Sequence, residues 1–190
     1  TLTKPEKVTL LLGVRTDYSS EFGLFTTPRI HLKLMPAHEM TIRLSAGTGT
    51  RFTNLFTDFP FIMTTNRSIV ISEKLKPEQA LNVGVNISKE WDFDGGNINW
   101  TADFYRTDFI NQAIADMDYS PQEIVFSNLH GKSFANSFQT DVNVKWNKNF
   151  STRAAYKFYD VRQTYHGLLL EQPLNPKQRA LFNAAFNTNN

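Results

Sequence analysis

Between Leu75 and Ile110 the chain alternates apolar and polar positions on both sides of a short turn. Leu81, Val83, Val85 and Ile87 interleave with Asn82, Gly84, Asn86 and Ser88; further on, Ile98, Trp100, Ala102 and Phe104 interleave with Asn99, Thr101, Asp103 and Tyr105. A period of two puts one apolar and one polar face on opposite sides of a sheet. Asp92, Asp94, Gly95, Gly96 and Asn97 lie between the two runs, and Gly, Asn and Asp suit a tight reversal because they tolerate positive φ. The stretch predicts a hairpin whose strands run roughly a dozen residues, against a usual length of about five or six.

The same alternation predicts strands at Lys7 to Asp17, from Pro28 to Met35, from Glu39 to about Thr50 and from Phe150 to Val161, and a final strand carrying Ala180, Phe182, Ala184 and Phe186. Glu123 to Trp146 reads as one long strand bulged near Gly131, and Ser68 to Glu73 as an extra short one. The main strands number about eight. Connections at residues 36–38, 92–97 and 147–149 are short, whereas those near 18–27, 51–78, 111–122 and 162–176 are long, and the two kinds alternate. In an antiparallel up-and-down meander this leaves one end trimmed and the other elaborated, as in a transmembrane β-barrel. A soluble β-sandwich that binds a ligand also has alternating strands and is the second reading.

The run LKPEQALNVGV, followed by a strand ending ADFYRTDFINQAI, resembles the "LKPE … N-x-x-G … Y-F-x-x-D/N-I" signature of TonB-dependent outer-membrane receptors. GVRTDYSSEFGLFTTPRIHLKLMP, TIRLSAGTGTRF and VFSNLHGKSFANSFQTDVNV flank it in the family's order and extend the resemblance over most of the chain. It implies that residues 1–190 form one partial barrel domain, a middle segment of a barrel of about 22 strands around a plugged lumen. Plug and last barrel strand are expected to lie outside this segment, and TLTKPEK has no hydrophobic core of a signal peptide.

The resemblance also implies a function: import of a scarce nutrient, such as a ferric siderophore, cobalamin or a glycan, across the Gram-negative outer membrane. The implied partners are outer-membrane lipid, the protein's own plug domain, TonB and a large nutrient ligand. An isolated segment with open sheet edges is expected to self-associate.

Sixteen Phe, six Tyr and three Trp in a chain of mean hydropathy below zero fit strands that offer only one face to lipid. A net charge of +2 with dispersed Lys and Arg argues against nucleic acid. The absence of cysteine excludes disulfides, thiolate metal sites and cysteine nucleophiles. An enzyme ranks last, because no G-x-S-x-G or phosphate loop occurs and His31, His38, His130 and His166 lack ligand spacing. Asp108, Asp116 and Asp118 do not have the spacing of a calcium loop. No metal or cofactor is assigned.

Binding is expected on the elaborated end, since rigid scaffolds carry function on their loops. Arg51, Phe52, Phe56, Phe59, Phe61 and Arg67 suggest an aromatic and cationic rim for a large, partly anionic ligand, with Tyr165 and His166 as a weaker second group. Arg15, Arg29, Arg43, Lys145, Arg153 and Lys157 recur on the polar strand faces, where the resemblance implies contact with the plug.

Overall fold

The computed structural model describes residues 7–173 and 175–188. The predicted hairpin forms, with Val85 opposite Phe104, Ile87 opposite Ala102 and Gly95 turning at φ 85°. Its polar face is tightly built at Gly84, where a Cβ would run into the Tyr105 ring. The strands in chain order are β1 (Val8–Ser19), β2 (Gly23–Leu34), β3 (Met40–Arg51), β4 (Ser68–Ile71), β5 (Glu78–Phe93) and β6 (Gly96–Asn111), then β7 (Ala113–Ser120), β8 (Glu123–Asn128), β9 (Ser133–Lys145), β10 (Phe150–Tyr165), β11 (Leu168–Glu171) and β12 (Gln178–Phe186). An α-helical turn, α1 (Leu55–Asp58), and a 3-10 turn at Pro60–Met63 interrupt them.

Eight long strands form an antiparallel meander in the order β1-β2-β3-β5-β6-β9-β10-β12, and β11 shares β10 as a partner with β12. β1 and β12 do not pair with each other, so the sheet is open. The expected up-and-down architecture is present.

Besides β7, which forms within the connection expected near 111–122, three boundaries differ from expectation. Glu123 to Trp146 is not one strand: the chain breaks around Gly131, at φ 134°, and β8 leaves the main sheet to pair parallel with β4 and antiparallel with β7. Alternation alone names no partner, and here Asn128 decides. Its buried side chain accepts from Lys76 N at 2.8 Å and donates to Lys74 O at 3.0 Å, tying the end of β8 to the β4–β5 connection.

The connection near 18–27 is also shorter than expected. β1 and β2 zip up to Ser19 opposite Gly23, because Thr16 to Tyr18 and Phe25 to Thr27 pair as strand. The third difference is at the end of β10, which runs on to Tyr165 and turns through His166 (φ 50°) and Gly167 (φ 76°) into β11. Two successive positive φ values define the tight hairpin turn that matches strand twist.

Pair register makes the two faces of the main sheet explicit. One carries Leu10, Leu32, Leu44, Val85, Phe104, Phe138 and Phe158, each strand matching its neighbours in kind. Trp91, Trp100, Trp146, Phe150 and Phe186 border this face at the short-turn end. Trp100 and Trp146 donate their indole N–H groups to Thr140 and Thr152, both at 2.9 Å.

At the other border the Phe104–Phe138–Phe158 row gives way to Arg106, Asn136 and Asp160 in the next register positions. Arg106 pairs with Asp108 at 2.6 Å and covers the Phe134 ring at 4.4 Å, while Arg162 pairs with Asp160 at 3.1 Å. From Phe150 to Phe158 the apolar band spans about nine residues of strand, the length a tilted transmembrane strand needs. The strands then continue above it by about seven residues.

Among the described residues the buried apolar side chains are Ala113, Ile114, Ile124 and Phe126, all in the small sheet β4-β8-β7. A sandwich would place its core between two sheets. Here the apolar face of the large sheet has no protein cover, with Leu12, Val14 and Phe182 exposed by about 70%. The described chain is therefore not a sandwich, and that face is built for a non-aqueous surrounding.

Candidate functional site

The elaborated ends of β3, β6 and β10 converge on a cavity of about 710 Å³ whose wall is made by the β3–β5 connection, β7 and the β10–β11 hairpin. Gln163 and Tyr165 share the face of Lys157 on β10, and Arg51 shares that of Arg43 on β3. The cavity thus opens at the upper end of the polar face. No group of three or more His, Asp or Glu is placed to hold a metal among the described residues.

One wall is organised by Arg51. Its guanidinium donates to Glu78 Oε2 through Nε at 2.9 Å and Nη2 at 2.5 Å, and to Asp58 Oδ1 at 3.1 Å. The Glu78 hydrogen bond, opposed by partial burial, holds the Arg51 pKa above its ordinary value. Glu78 is buried, and its other oxygen accepts from Ala113 N at 3.1 Å, which fixes the start of β7. Asp58 in turn accepts from Asn54 N at 2.9 Å, while the Asn54 side chain caps the turn by accepting from Phe56 N and Thr57 N. This network sets the position of Phe59, which meets Phe61 and the fully buried Phe126 edge-on at 6.0 and 5.0 Å.

The opposite wall is held by Asp116. It accepts from Tyr165 Oη at 2.6 Å and from the Asp118 and Tyr119 N–H groups, both at 3.0 Å, and pairs with His166 Nε2 at 2.9 Å. Burial works against its ionisation, but these hydrogen bonds and the imidazole charge outweigh it and lower its pKa. Burial and the Asp116 carboxylate together push the Tyr165 hydroxyl up to about 12.

Of the predicted binding residues, Arg51, Phe59, Phe61 and Tyr165 line the cavity. Phe52 instead packs on Phe22 and Phe25, and Phe56 is exposed outside it. Arg67 spends its Nη2 on the carbonyls of Met117, Ser120 and Glu123, clamping the β7–β8 turn, and His166 pairs with Asp116 behind the wall. The expected cationic rim is therefore not formed: Arg51 is neutralised by two carboxylates and Arg67 is consumed by backbone. Sequence reading missed Glu78, Gln112, Met117, Gln163 and Glu171 at this site. They come from β5, the β6–β7 link, β7, β10 and β11, and no local pattern brings them together.

The six predicted lumen cations all fall on the polar face in register. Arg153 pairs with the buried Asp141 at 2.7 Å and Arg15 with Asp17 at 2.8 Å. Arg43 donates to Asn86 at 3.0 Å, which donates onward to Asp103 at 2.7 Å. Arg29, Arg43, Lys145 and Lys157 make no ion pair within the described residues.

The fold is similar to two solved proteins. The siderophore receptor PirA from Pseudomonas aeruginosa aligns with TM-score 0.61 and 19% identity over 94% of this chain. The FrpB iron transporter from Neisseria meningitidis (F3-3 variant) aligns with TM-score 0.58 and 12% identity over 88%. The chain spans 34% and 26% of those two proteins. Curated proteins show no match. The family model described as "TonB dependent receptor-like, beta-barrel" matches residues 2–189, and the chain, whose large sheet is a two-faced antiparallel meander, belongs to that family.

Proposed function

We propose that this chain is part of the barrel wall of a receptor that sits in the outer membrane of a Gram-negative bacterium and imports a scarce nutrient. A ferric siderophore fits best, with cobalamin or a glycan as the other candidates. The observation that carries the reading is the apolar band bounded by aromatic rows, with charged Arg106 and Asp160 directly above it. Such a band suits lipid outside and a polar lumen inside. The family membership and the likeness to a siderophore receptor and an iron transporter support the same reading.

Within that barrel the unpaired inward cations Arg29, Arg43, Lys145 and Lys157 would dock an acidic surface of the plug domain. TonB would supply energy through the plug. Arg51, Phe59, Phe61 and Tyr165 would meet the ligand at the upper opening, while Phe52, Phe56, Arg67 and His166 would shape the loops around it.

Two experiments test the reading. The receptor carrying this segment is expected in the outer-membrane fraction, with growth under iron limitation lost equally on its deletion and on deletion of TonB. The isolated segment is expected to be β-rich and to need detergent for dispersion; a monodisperse 21.8 kDa monomer in plain buffer would overturn the proposal.

A further inference from the structure

The charges around the upper cavity have an unexpected sign. Its lining contains one cation, Arg51, against four carboxylates, Asp58, Glu78, Asp118 and Glu171. Arg51 is already held by two of them. Glu171 has a partner outside the lining, Lys177 at 2.6 Å, and Asp118 has only the Tyr165 hydroxyl, at 3.2 Å, and no ion pair within the described residues. With Lys177 counted, the wall still carries an excess of negative charge. Beside these carboxylates lie Phe59, Phe61, Met117 and Leu170.

We propose that this cavity binds an organic cation: an ammonium or guanidinium group, or a cationic complex, attached to an aromatic or aliphatic portion. The charged end meets Asp118 and Glu171, and the apolar end lies against Phe59 and Phe61, whose ring faces also attract cations. A cavity of about 710 Å³ accommodates a molecule of that kind. Free anions are disfavoured, because the one guanidinium that would greet them is neutralised and the remaining fixed charges repel them. A ligand that is anionic as a whole would have to enter with its cationic or neutral part first. The inference rests on the receptor reading only in treating this end as open to the outside.

The test uses the receptor carrying this segment, purified in detergent micelles, and three probes of equal size: phenethylammonium, 2-phenylethanol and phenylacetate. Saturation-transfer NMR is expected to detect phenethylammonium most strongly, 2-phenylethanol weakly and phenylacetate not at all. The double variant Asp118→Asn, Glu171→Gln is expected to weaken the cation at least fivefold while leaving 2-phenylethanol unchanged. Phe61→Ala is expected to weaken both. Amide hydrogen exchange across β7 and β10 confirms that each variant stays folded. Phenylacetate binding as well as the cation, no binding of the cation, or a double variant that binds it undiminished overturns the inference. Outer-membrane location and TonB-dependent growth are read separately, so the cavity assignment and the receptor reading fail on different measurements.

Discussion

Tyr165 donates its hydroxyl to Asp116 Oδ1 at 2.6 Å, joining the tip of β10 to β7 across 49 residues of sequence. The same carboxylate holds His166 in the hairpin turn and two backbone N–H groups of its own strand. One side chain thus sets the distance between two walls of the cavity. Tyr165→Phe is expected to destabilise the β10–β11 hairpin by about 1 to 1.5 kcal/mol, since a hydrogen bond to a charged group is partly offset here by exposure. Amide exchange should accelerate at β7 and β11 and stay unchanged in β5 and β6.

Acid and base should act on this junction in opposite ranges. The folded state depresses the Asp116 pKa, so its contribution is present above the unfolded carboxylate value and is lost as pH falls through the folded one. Tyr165 is raised from 10.0 to about 12, so its contribution is complete below 10 and is lost as pH rises toward 12. Phenolate absorbance at the tyrosines should therefore contain one component that titrates late. Asp116→Asn should bring it back toward the ordinary range.

Glu73 makes a second acid-sensitive tie. Its carboxylate accepts from Asn128 N at 2.9 Å and meets His130 Nε2 at 2.8 Å, and the Asn128 bonds, followed by His130, hold its pKa at about 2. With the folded pKa below the ordinary carboxylate value of 4.5, the stability it contributes is present above 4.5 and disappears as pH falls toward 2. Exchange at the Asn128 amide should rise over that window, and Glu73→Gln should remove the pH dependence.

Arg67 reaches three carbonyls of the β7–β8 turn with one nitrogen, Nη2, at the end of its long side chain. Arg67→Ala is expected to cost the small sheet roughly 1 to 3 kcal/mol. Limited proteolysis between β7 and β8 reads this directly. Cleavage no faster than in the unaltered protein would count against the clamp.

Depth in the bilayer should grade the outer face. Ala102 lies in the apolar band and Asn136 in the charged row above the phenylalanines. Ala102→Arg is expected to cost about 2 to 4 kcal/mol on refolding into vesicles and Asn136→Arg about 0 to 1. Equal costs would place the border elsewhere.

The alternation of Leu81 to Ile87 and Ile98 to Phe104 determined the strands and their faces without any tertiary information, because side-chain direction in a strand depends only on residue parity, and the short turn between them made the pair antiparallel. Parity also put Arg15, Arg29, Arg43, Lys145, Arg153 and Lys157 on one face, the polar one. What each cation meets there was not legible, since ion pairing depends on distance across strands: Arg153 finds Asp141, and Lys145 finds no carboxylate among the described residues. The partner of β8 was hidden for a similar reason. Its alternation fits the large sheet as well as the small one, and only the burial of Ile124, Phe126 and Asn128 separates them. Likewise the two arginines of the long connection looked like a cationic rim, yet Glu78 and three carbonyls, distant in sequence, hold them. Local physics decided the sheet; the sign of the cavity came only from which loops the fold brought together, because charge balance at a site is a sum over residues that the chain itself keeps far apart.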